Sequence, residues 1–216
     1  NGCFNTIGGG CNNRMCAQSG GAGNTIAGGR SNSICANSAG TIGGGCNNLV
    51  CCFAGVVAGG CGNKARSDYA SVGGGCGNDV CAGETYGTIA GGRGNIVDGD
   101  CSTIAGGACN CITANQAVIA GGTLNTGSGA CGFIGGGLCN YNNSSCGVIV
   151  GGQSNINDVD SLAAFMGAGC CNTITNDSLS AVLVGGDGNR VDGSEHGIIV
   201  GGDRNVVGYS SNHTIV

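Results

Sequence analysis

Proline and tryptophan are absent from the 216 residues, aromatics supply 4% and charged residues 9%. Each shortage excludes a class. Fifty Gly suggest collagen, but that triple helix needs Gly at every third residue and abundant Pro. Disordered chains are rich in charge and poor in β-branched residues, whereas this one is 41% hydrophobic and rich in Ile and Val. Four Phe and four Tyr are too few large rings for an ordinary globular core. Seven Lys+Arg without a basic cluster, in a chain of net charge -5, argue against a nucleic-acid partner. No stretch approaches about 18 uninterrupted apolar residues, so membrane insertion is not expected. With no initiator Met and no leader-like segment, the chain reads as a piece of something longer or as a processed product.

What is present is a repeat. The pattern apolar, x, Gly, Gly, x, x, Asn starts at Ile7 and recurs from Ile26, Ile42, Val57, Val72, Ile89, Ile104, Ile119, Ile134, Ile149, Met166, Leu183 and Ile199, and begins again at Ile215. Spacings are 15 to 17 residues after a first of 19. Only Ala168-Gly169 breaks the Gly pair. A unit this short cannot hold a helix pair or a propeller blade, but it fits one coil of a β-solenoid. The expected fold is therefore all-β, a parallel solenoid or β-roll of about 13 coils forming one repeat domain over residues 1–216. A second, looser apolar position lies two residues past the Asn, at Ile34, Val50, Val80, Val97, Ile112, Ile174, Val191 and Val207, with Gly127, Asn142 and Asn157 as exceptions. Stacked coils would align an Ile/Val column and an Asn ladder at a strand spacing of ~4.8 Å.

The turn residues follow from this, for example Gly9, Gly10 and Asn13; Gly28, Gly29 and Asn32; Gly44, Gly45 and Asn48; Gly106, Gly107 and Asn110. Adjacent Gly mark a tight corner or a surface where chains touch. The Asn suits a left-handed corner, and its amide can bond to a neighbouring coil. Pro would delete a ladder donor, so its absence fits a chain whose amides are nearly all paired.

Segments such as Gly40-Thr41-Ile42-Gly43-Gly44-Gly45-Cys46-Asn47-Asn48 and Ser102-Thr103-Ile104-Ala105-Gly106-Gly107 resemble the head repeats of trimeric autotransporter adhesins and related repeats of phage and giant-virus fibre proteins. The resemblance covers essentially the whole chain. It implies a left-handed parallel β-roll that assembles as a homotrimer on a surface fibre, extracellular or on a virion, as a spacer or adhesin shaft. Such heads are normally poor in Cys, which this chain is not.

Eighteen Cys fall at recurring offsets. Counted from the firm apolar residue, Cys stands four and nine positions later as Cys11 with Cys16, Cys46 with Cys51, and Cys76 with Cys81. A second pattern, three before and five after, gives Cys101 with Cys109 and Cys131 with Cys139. Co-occurrence at two offsets suggests disulfide partners, and buried inert thiols are the alternative. There is no Cys-x-x-Cys, and His196 and His213 lie in the Cys-free final stretch, so no metal site is expected. The same two His lack a nucleophile motif, so neither an enzyme nor a cofactor is expected. Asp187 and Asp203 follow Gly pairs but miss the calcium β-roll spacing, which makes them solvated turns. The Thr residues before the apolar position are too interrupted for a flat ice-binding array. The rival to a structural rod is a module that binds a cell-surface glycan or receptor through the longer coils, Ser19–Gly23, Gly83–Gly87 and Asp158–Leu162.

Overall fold

The computed structural model describes residues 4–16, 22–35, 38–83, 85–158, 161–209 and 214–215. They form two compact units, Asn1–Cys109 and Asn110–Val216. Each unit is a parallel β-solenoid, and there is no helix among the described residues. Every coil contributes two short strands. A leading strand ends on the firm apolar residue, as in Thr25–Ile26, Thr41–Ile42 and Thr103–Ile104 of the first unit and Val118–Ile119, Phe133–Ile134 and Ile198–Ile199 of the second. A trailing strand ends on the second apolar position, as in Ser33–Ile34, Leu49–Val50 and Asp79–Val80, or Cys111–Ile112 and Tyr141–Asn142. Leading strands pair only with leading strands and trailing with trailing. The register aligns identical repeat positions, Ile26 with Ile42 and Ile42 with Val57, or Ile134 with Ile149 and Ile149 with Met166.

Apart from Ile7, Met15 and Ile215 at the ends, the inner residue of each strand is shut off from solvent, as at Ile26, Ile42, Val57, Ile104, Ile134 and Ile199 on leading strands and Ile34, Val50, Ile112 and Val191 on trailing ones. Strands alternate inward and outward, so one residue per two-residue strand reaches the core. Two further inward columns hold small residues. Two positions before the apolar residue stand Gly40, Gly55, Ala70, Gly87, Ala117, Gly132, Ala164 and Ala181, all buried. Five before it stand Cys52, Ser67, Ala114, Ser144, Ser161, Ser178 and Ser194, also buried. The coil is too narrow for larger groups there. A Cβ on Gly55 would sit 2.2 Å from the Cys52 sulfur, and one on Gly147 2.6 Å from the Ser144 Cβ.

Amide hydrogen bonds account for the missing proline. In the coil built on Ile42, the N–H groups of Thr41, Gly43, Cys46, Leu49 and Cys51 donate to Gly55, Val57, Gly60, Asn63 and Ala65 of the next coil. At the corners the direction reverses, and Ala39 and Asn47 donate back to Ala22 and Arg30 of the previous coil. These reversing residues are left-handed, with φ of +58° and +55°. The left-handed corner thus lies one residue before the ladder Asn, at Asn12, Ser31, Asn47, Leu124, Cys139 and Ser154, and not on the Asn itself. The ladder Asn turns inward, because its side chain has a full set of partners inside the coil.

Candidate functional site

Among the described residues the Asn ladder is a fully connected polar system. Asn48 Nδ2 donates to the Gly44 carbonyl in its own coil at 2.9 Å and to the Gly60 carbonyl of the next at 3.0 Å, while its Oδ1 accepts the Asn63 N–H at 2.9 Å. Asn140 repeats this with Gly136, Gly152 and Asn155. Both are buried, and every strong donor and acceptor of the amide is used.

The two Gly of the pair do different work. The second, at φ from +83° to +104°, crosses so close to the next coil that an added Cβ would lie 2.0–2.3 Å from a carbonyl oxygen, as at Gly45, Gly122 and Gly137. Only Gly fits. The first faces outward. A Cβ on Gly28, Gly44, Gly59, Gly91, Gly121, Gly151 or Gly201 would meet nothing within 4 Å. The single exception in the repeat, Ala168, falls at this tolerant position, and its carbonyl still accepts from Asn172 Nδ2 at 3.2 Å.

All described cysteines carry free thiols, and Cys3 lies outside the described residues. In the first unit, thiol contacts run between coils at one offset. Cys46, Cys61 and Cys76 are successive bridge positions, and hydrogen bonding to Cys46 leads the causes that raise the Cys61 thiol's pKa. Cys51 neighbours Cys35, and burial, with that neighbour, pushes Cys51 up to about 11. Cys46 and Cys51 thus each find a thiol in an adjacent coil, because in-register stacking superposes equal offsets, whereas offsets four and nine flank the Asn corner. Cys11, Cys76, Cys101, Cys109, Cys131 and Cys139 are exposed; Cys16 and Cys81 are half-buried. Among the described cysteines only Cys52 is inside, at 5% exposure, and burial, reinforced by the Asp68 carboxylate, pushes its thiol up to about 11.

Two other surface groupings appear. Phe53, Tyr69 and Tyr86 climb one face of the first unit, the first pair edge-to-face at 5.4 Å and the second stacked at 4.8 Å. In the second unit the Cys170 and Cys171 sulfurs lie 3.0 Å apart, beside the Asp187 carboxylate of the next coil. Spacing along the chain hides this group. Cys170 and Asp187 share the offset four from Met166 and Leu183, which is the signal that alignment on the repeat provides. His196 is exposed, and His213 lies outside the described residues. Of the longer coils, residues 19–21, 84 and 159–160 also lie outside them. No protein-family model matches this chain, and none of the curated proteins is similar to it.

Proposed function

We propose that this chain is a structural segment of an extracellular or virion surface fibre, a left-handed solenoid that works as a homotrimeric spacer or adhesin shaft. The observation that carries the reading is the row of first Gly residues. At Gly28, Gly44, Gly59, Gly91, Gly121, Gly151 and Gly201 neither a neighbouring atom nor a positive φ requires Gly, yet all but one of the repeats place it. Residues small enough for close backbone approach, recurring on an outer face, suit packing against another copy. Beside that row, exposed Val150, Val184 and Val200 add an apolar stripe in the second unit. The thin core needs such cover, since a coil of this size buries little apolar area by itself. Disulfides formed from the exposed thiols would staple the fibre in an oxidising compartment. Light scattering tests the assembly: a mass three times the 20.6 kDa chain is expected, and Gly121→Leu with Gly151→Leu should yield single chains that keep the β circular dichroism signal. A single-chain mass for the unaltered protein overturns the trimer.

A second reading, an adhesin module for a cell-surface glycan, is favoured by one feature. Tyr86 belongs to the longer coil Gly83–Gly87, is 55% exposed and stacks on Tyr69. Aromatic faces are what sugar rings pack on. Glycan-array binding lost in Tyr86→Ala supports it, and an empty array for the intact protein rejects it.

A further inference from the structure

We propose that Cys170, Cys171 and Asp187 form a binding site for a divalent d10 cation of the zinc class. One ligand atom from each, two sulfurs and a carboxylate oxygen, lies within 4.8 Å of the other two. Among the described residues this is the only group of three such side chains placed so closely. It is assembled by the fold. Cys170 and Asp187 occupy the same corner position of consecutive coils and are bridged by backbone pairing. Cys171 is the left-handed corner residue, φ +60°, which turns its side chain back beside Cys170.

The chemistry selects the ion. Two thiolates and one carboxylate suit zinc or cadmium and are too soft for calcium or magnesium. Tetrahedral bonds of about 2.3 Å to sulfur place two sulfurs roughly 3.8 Å apart. The 3.0 Å separation must open slightly, which the exposed Cys171 side chain permits. The site faces solvent, leaving a fourth position for water. Asp187 forms no ion pair among the described residues, and Arg204, one coil on, is engaged with Asp203 at 3.6 Å. A cation bound between the three ligand atoms would take the place of the protons that both thiols release to the buffer.

Zinc titration of the full reduced chain against a chromophoric chelator, repeated with Co²⁺ to read the thiolate charge-transfer band, tests the site. Other thiols also take up metal, so the measured quantity is a difference. Cys170→Ser with Cys171→Ser should bind one ion fewer per chain, and Asp187→Asn should weaken that ion at least tenfold while the circular dichroism is unchanged. Equal stoichiometry and affinity in the double-serine variant overturn the proposal. Should that variant misfold, Cys171→Ser alone decides it: an intact charge-transfer intensity overturns the site, and a reduced one supports it.

Discussion

The backbone N–H of Asn140 and its side-chain Nδ2 both donate to one atom, Oδ1 of Asn125 in the coil before, at 2.9 and 3.1 Å. The acceptor belongs to a residue that makes the same contacts with its own neighbours, so the ladder propagates. Asn140→Ala would strand the Gly136 carbonyl and the Asn155 N–H, while the Gly152 carbonyl loses one donor and keeps the Leu138 N–H. Buried polar groups left unpaired cost about 1–3 kcal/mol each. A loss of roughly 3 kcal/mol or more is expected in urea unfolding, against less than about 0.5 kcal/mol for exposed Gln153→Ala.

The Gly pair offers a sharper contrast, since two adjacent residues of one type are expected to respond differently. Gly121→Ala enters open space, whereas Gly122→Ala places a Cβ 2.3 Å from the Gly137 oxygen at φ +86°. The second change should cost roughly 3 kcal/mol or more and the first under about 1 kcal/mol. Equal melting temperatures for the two variants would show that the coils are not this closely stacked.

Buried amides outside the ladder fare worse. Asn157 stands in the trailing apolar column with Oδ1 unpaired, and its Nδ2 donates to an Ala164 carbonyl that already accepts from Val148. Replacing a partly satisfied amide with an apolar residue removes the unmet desolvation cost. Asn157→Val should therefore stabilise the protein by about 1 kcal/mol, read as a higher melting temperature.

The thiols of Cys51 and Cys52 set an alkaline limit. Both have folded-state values raised from 9.0 to about 11, so the folded state favours the protonated form. Their contribution is whole below pH about 9 and is lost as pH rises toward 11. Unfolding under reducing conditions should show stability falling across that window, with a shallower fall in Cys52→Ala. In alkylation at pH 8, Cys52 should be modified later than exposed Cys101.

The repeat alone determined the solenoid, the two apolar columns and the Asn ladder, because parallel in-register stacking turns a period along the chain into a column in space. It also marked the Gly pair, without distinguishing its members. Only the tertiary structure separated Gly121 from Gly122, since the difference is the approach of the next coil's carbonyl and no local propensity encodes it. It also moved the left-handed corner from the ladder Asn to the residue before, because the Asn side chain is better satisfied inside. The small inner columns, from Gly40 to Ala181 and from Cys52 to Ser194, were invisible in the sequence, as Gly, Ala and Ser carry no hydrophobic signature and become core only where the coil is too narrow for more. The meeting of Cys170 and Asp187 has the same origin: the two are distant along the chain but share one offset, and stacking brings equal offsets together, with Cys171 next to Cys170 completing the group.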